Sequence, residues 1–226
     1  MNNIWVFGCS FSSGYLDVPQ TESYGNLISK KLKYGINNLA NPGNSNDKIL
    51  LDLVNCLPKI GKNDIVIYQF SSFDRIGHFL DNDYFSSAGF VQLGIDHKHK
   101  EWPFNMFKKE DMGDLLKYIV NWNPMRKKMI LDTSIGLLNF ISEIQKIKTI
   151  IMFMDNETIL NENILILPVN LKPNNNSFHD YLCHNKLTIS DDFPEKYDYY
   201  DTHPGLSGHK KIYELILDKI NYKPII

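Results

Sequence analysis

The chain has 226 residues, 43% hydrophobic and 22% charged, with 24 Lys and Arg against 26 Asp and Glu for a formal net charge of −2. That length fits one domain or one domain with an insertion, and the apolar fraction is enough for a normal core. The near-neutral balance, with Arg126-Lys127-Lys128 as the longest basic run, gives no electrostatic basis for a nucleic-acid or anionic-membrane partner.

Three cysteines, Cys9, Cys56 and Cys183, cannot all pair, and their spacing is not that of a metal site. No metal, nucleotide or other cofactor is expected, and no glycine-rich phosphate loop occurs. No apolar run approaches the about 18 residues of a membrane span. Residues 1–3 lead straight into a strand, which leaves no room for a secretion signal. A cytoplasmic chain with reduced thiols is the expectation.

Residues 4–7 are apolar without helical periodicity and predict a short buried strand, with Gly8 permitting a sharp turn into Ser10. A polar loop with Gly14 and Pro19 follows. Leu27, Ile28 and Leu32 then mark one face of a helix that Gly35 ends. Residues 36–40 predict a second strand, and Asn41-Pro42-Gly43-Asn44-Ser45-Asn46 a turn-rich loop. Ser45 or Asn46 caps the next helix, whose apolar stripe is Ile49, Leu50, Leu53, Val54 and Leu57. Residues 64–70 give the strongest strand signal in the chain. Residues 76–111 lose all periodicity and predict an irregular insertion, suited equally to a lid over the site or to a surface excursion. Helical spacing returns over 112–146, where Pro124 is expected to split the run in two. Residues 149–154 predict a further strand, residues 164–167 a short fifth strand or an extended edge segment, residues 170–200 a loop, and residues 206–220 a closing amphipathic helix.

Strand–helix alternation of this kind predicts an α/β fold. The expectation is a three-layer α/β/α sandwich with a parallel, flavodoxin-like sheet of about five strands, all within a single domain of residues 1–226.

In open parallel sheets ligands bind at the carboxyl ends of the strands. The chain brings chemistry to successive edges there: Ser10 after the first strand, Gly43 after the second, Ser71 and Ser72 after the third. Tyr200-Asp201-Thr202-His203-Pro204-Gly205 arrives just before the last helix. Acyl transfer by serine needs a nucleophile, a base, a group that orients the base and donors for the oxyanion. Each residue alone has a plainer reading: Gly43 as a turn needing φ > 0, His203 as a solvated loop histidine, Arg75 as a surface ion pair with Asp74. Cys9, one residue from Ser10 on a strand turn, points to the interior and reads as inert packing. His209, two turns down the last helix, reads as a solvated or helix-packing residue. The aromatic and histidine cluster at His78, His97, His99 and Trp102-Pro103-Phe104 reads as a hydrophobic plug, with a carbohydrate surface as the alternative.

The ordered set resembles the SGNH (GDSL-like) esterase family across nearly the whole chain. Gly8-Cys9-Ser10-Phe11 resembles its Gly-Asp-Ser block with Cys9 in place of Asp, and Asn41–Asn46 resembles its second block. His203-Pro204 with Gly208-His209 resembles its last block. The resemblance implies Ser10 as nucleophile, His203 as base and Asp201 as its partner. The oxyanion donors it implies are the N–H groups of Ser10 and Gly43. Two departures stand out. The third block, Gln69-Phe70-Ser71-Ser72, has no Asn, so Ser72 is the substitute donor. The family's Asp position three before the histidine is Tyr200, with Asp201 one residue late and Asp198 as a weaker alternative. Arg75 and Asn44 are candidate substrate contacts. The implied activity is removal of a small, acetyl-like group from a carbohydrate or similar ester through an acyl-enzyme. An acyltransferase on the same serine, or a non-catalytic binding module on the same scaffold, are the alternatives.

Overall fold

A computed structural model describes residues 2–73, 75–76, 91–92, 109–154, 169–170, 178–196 and 199–221. Its centre is a parallel sheet of β1 (Asn3–Phe7), β2 (Gly35–Asn38), β3 (Ile65–Phe70), β6 (Lys148–Phe153) and the two-residue β7 (Val169–Asn170), in the order β2-β1-β3-β6-β7. Between β3 and β6, β4 (Arg75–Ile76) and β5 (Val91–Gln92) pair antiparallel outside that sheet. Counting only the central sheet, this is the 2-1-3-4-5 order of the flavodoxin-like doubly wound fold. Four strands have four or more residues, and β7 is a short edge pairing with Ile150 and Ile151.

The helices are α1 (Ser10–Ser13), α2 (Tyr24–Leu32), α3 (Asn46–Cys56), α4 (Lys109–Gln145), α5 (Phe178–His184), α6 (Ile189–Asp192) and α7 (Leu206–Asn221). Side chains alternate across a strand, so β1 sends Ile4 and Val6 to one face and Trp5 and Phe7 to the other. The first face packs with Tyr24 and Ile28 of α2 and Ile212, Ile216 and Ile220 of α7. The second packs with Ile49 and Leu53 of α3 and Ile135, Leu138 and Ile141 of α4. Two cores on one sheet make the three layers.

Several expectations change. The fifth strand lies at Val169–Asn170, whereas residues 164–167 are outside the described residues. The stretch 170–200 holds α5 and α6 rather than loop alone. Its polar composition hides Phe178, Leu182 and Ile189, each at most 2% exposed, and Thr188 with Asp191 forms a capping box that starts α6. α4 continues through Pro124 as one helix. A proline costs one N–H rung and crowds the carbonyl four residues back, but the 37-residue helix keeps its packing on the sheet beyond it through Ile135, Leu138 and Ile141. Of the expected insertion 76–111, only 76, 91–92 and 109–111 are described. Among the described residues, no helix is long and apolar enough to cross a membrane, and no three His, Cys, Asp or Glu side chains group as metal ligands.

Candidate active site

β1 delivers the chain to the sheet's carboxyl edge, where Cys9 is extended and α1 begins at Ser10. The Cys9 carbonyl accepts from the N–H groups of Ser12 and Ser13. As first residue of the helix, Ser10 has an N–H without an intrahelical acceptor. What fixes this turn is Gln69 of β3. Its Oε1 accepts from Cys9 N at 3.0 Å, Cys9 Sγ at 3.3 Å and Ser12 Oγ at 3.0 Å. Since Ser12 gives its proton to Gln69, its oxygen accepts from the Tyr24 hydroxyl. Burial pushes the Tyr24 phenol well above its usual value, so it stays a donor. Gly8 is required here for space: a Cβ would lie 2.6 Å from Ser12 Oγ and 2.7 Å from Gln69 Oε1.

Gln69 is the residue the sequence reading missed. The signal was available, because a polar side chain inside the fully buried β3 must find hydrogen-bond partners. Cys9 is fully buried with its thiol on Gln69, as the strand alternation implied.

Ser10 Oγ lies 2.8 Å from His203 Nε2. The other ring nitrogen, Nδ1, lies 2.6 Å from Asp201 Oδ1, and the same oxygen accepts the His203 backbone N–H at 2.9 Å. Burial raises the Asp201 carboxyl, but the hydrogen bonds from the His203 ring and backbone and the nearby imidazole outweigh it and hold the group below the usual carboxylate range. Ser190 Oγ accepts the Asp201 N–H at 2.6 Å. The Ile189 N–H donates to the His203 carbonyl, and Thr188 bridges Pro204. The loop is thus braced on α6. The ring of Tyr15 lies 4.3 Å from that of His203 and the ring of Phe11 5.1 Å from it. Ser10 is 2% exposed.

Gly43 has φ 83°, the turn conformation its residue type allows. Asn44 is buried, and its amide donates to the Gly8 carbonyl at 3.0 Å, so it ties the Gly43 loop to the Ser10 turn. Ser45 caps α3 by accepting from Lys48 N. Asn46 instead clasps the end of β3: its Nδ2 donates to the Ser71 carbonyl at 2.9 Å and its Oδ1 accepts the Ser71 N–H at 2.8 Å. Ser72, half-buried, follows that clasp, whereas the Ser71 hydroxyl is buried with no hydrogen-bond partner among the described residues. Arg75 opens β4; its side chain is outside the described residues, as is Asp198. Tyr200 turns away, its hydroxyl donating to Asp191 at 3.1 Å. His209 is fully buried in α7, and its Nδ1 accepts the Tyr24 N–H at the start of α2.

The fold is a flavodoxin-like doubly wound sheet with a serine at the first strand's exit and an Asp-x-His loop ahead of the last helix. No family model and no curated protein matches the sequence. Among solved structures the chain is similar to a lipase/acylhydrolase from Enterococcus faecalis, at 15% identity, with 97% of this chain and 95% of that one covered and a TM-score of 0.48. It is similar also to the psychrotrophic esterase EstA from a Pseudoalteromonas species, at 13% identity, 97% and 97% coverage and a TM-score of 0.47. A third likeness is to a member of the lipolytic protein G-D-S-L family from Veillonella parvula, at 11% identity, 96% and 97% coverage and a TM-score of 0.44.

Proposed function

We propose that this chain is a serine esterase of SGNH type, acting through an acyl-enzyme on a small acyl ester of a carbohydrate or similar alcohol. The observation that carries the reading is the continuous chain Ser10 Oγ, His203 Nε2, His203 Nδ1, Asp201 Oδ1, with links of 2.8 and 2.6 Å. Those are hydrogen-bond distances, and the order is nucleophile, base, orienting carboxylate.

In this reading Asp201 holds the imidazole with its proton on Nδ1, which leaves Nε2 free to accept the proton of Ser10. Ser10 Oγ attacks the ester carbonyl. The proton taken by Nε2 passes to the leaving alcohol as the acyl-enzyme forms. Water then attacks with His203 again as base. The oxyanion is met by the N–H groups of Ser10 and Gly43 and by the Ser72 hydroxyl in place of the family's Asn. Removing one such donor costs about 10²–10³ in rate in other enzymes, so a hydroxyl substitute predicts a slow enzyme. The low exposure of Ser10 and the rings of Phe11 and Tyr15 against His203 favour a small acyl group.

The test is hydrolysis of p-nitrophenyl acetate by the wild type and Ser10→Ala, with fluorophosphonate labelling of both. Turnover and label in the wild type alone support the reading. A wild type that is neither labelled nor active, while folded by circular dichroism, overturns it in favour of a binding module.

A further inference from the structure

Helix α4 buries one side on the sheet and carries an apolar line on the other. Met125, Met129, Phe140 and Ile144 are 63, 53, 59 and 63% exposed, and their spacings of four and eleven residues place them along one stripe. A surface helix ordinarily turns charged and polar residues to water. Four large side chains aligned on one helix form a patch, unlike apolar residues scattered singly.

Gly136 sits in the middle of that stripe and is exposed. A Cβ there would meet nothing within 4 Å, so nothing in the described fold requires glycine. Glycine is among the poorest residues for a helix interior, and its presence leaves a notch in the stripe one turn before Phe140.

We propose that this face is where two copies of the chain meet, their α4 helices antiparallel about a two-fold axis at Gly136. Such an axis sets residue 136+n of one copy level with residue 136−n of the other. Helical side chains lean toward the N-terminus, so each Phe140 leans back over the notch at Gly136 of the second copy. Met129 of one copy comes level with Ile144 of the other to within about one rise of 1.5 Å. The charges agree with this pairing. Lys128 and Glu143, both exposed, lie on the same flank of the stripe, eight residues before and seven after the axis. The two-fold therefore brings Lys128 of each copy beside Glu143 of the other, twice. Lys128 already pairs with Asp132 in its own helix at 2.6 Å, which holds it on that flank. Asp132 stays four residues from the axis and does not face its own copy.

The test is sedimentation velocity of the full chain from about 1 to about 200 µM, a range spanning micromolar affinity. The expected result is a monomer–dimer equilibrium that Phe140→Glu and Gly136→Leu each weaken at least about tenfold in Kd, with circular dichroism unchanged because both positions face solvent. Gly136→Cys under mild oxidation should give a disulfide-linked dimer, since a two-fold at this residue brings both copies of it into bonding range; Lys210→Cys on α7 should not. A wild type monomeric throughout, or a dimer that survives Phe140→Glu, overturns the proposal. A patch that instead serves a different protein gives the monomeric result.

Discussion

Asp201 and His203 meet through a single oxygen: Oδ1 accepts both the ring Nδ1–H and the backbone N–H of His203. The second bond is an Asx-turn, in which a side-chain oxygen accepts from the backbone two residues on. It bends the loop so that a carboxylate only two positions before the histidine reaches its imidazole. That contact does not need the spacing of three found in the SGNH family, and Tyr200, which stands at that position, donates to Asp191 of α6 instead.

Asp201→Asn is the direct probe of this arrangement. An amide oxygen can keep the turn, but it brings no negative charge to steady the imidazolium that forms during acyl transfer. On the proposed mechanism kcat should fall about 10²–10⁴-fold, with KM changed far less. Steady-state kinetics on p-nitrophenyl acetate measures the split. A variant within about threefold of wild-type kcat would remove Asp201 from the mechanism.

The Gln69 network gives a second expectation, independent of activity. Gln69→Leu leaves the buried Cys9 N–H and Ser12 hydroxyl without their acceptor and should cost about 2–4 kcal/mol. Gly8→Ala drives a methyl into the same atoms and should cost about 1–3 kcal/mol. Because both variants damage one network, the double variant should cost less than the sum of the two. Urea unfolding of all four proteins measures this cycle. Strict additivity would mean that Gly8 and Gln69 act separately.

The parallel sheet was legible in the sequence because buried parallel strands are continuous apolar runs, and β1, β3 and β6 are such runs. The candidate residues Ser10, Gly43, Ser72, Asp201 and His203 could be named because each follows a strand or precedes the last helix. What stayed hidden depended on tertiary partners. α5 and α6 lie in a polar stretch whose few buried residues make no period. Asn46 looked like a helix cap, although its side chain reaches across to Ser71, 25 residues away. Tyr15 looked like one residue of a loop, and only folding brings it onto His203.

Asn46→Ala tests the clasp between α3 and the end of β3. The Ser71 N–H and carbonyl would both lose a buried partner, a loss of about 2–4 kcal/mol. Asn46→Asp keeps the acceptor but sets a buried carboxylate oxygen against the Ser71 carbonyl, so near neutral pH it should be destabilised at least as much as alanine. Denaturant unfolding of the three proteins gives the order. Alanine as stable as wild type would show that water replaces the clasp at no cost.

His209 should make the fold acid-sensitive. Burial, with the nearby His203 charge adding to it, lowers its pKa to about 3, against about 6.5 in an unfolded chain. Between those values the unfolded state binds a proton that the folded state refuses, so stability falls as pH falls, by up to about 1.4 kcal/mol per unit. Asp201 is also held below its ordinary value, so its contribution falls with pH in the same direction, but it is lost only below about pH 4, its unfolded value. The interval from pH 6.5 to 4.5 therefore isolates His209, and wild type should lose about 2–3 kcal/mol across it from this residue. His209→Asn offers an acceptor oxygen to the Tyr24 N–H without titrating, and should flatten that part of the profile. Urea unfolding at the two pH values compares the pair. Equal acid losses in both proteins would mean that His209 takes up its proton in the folded state.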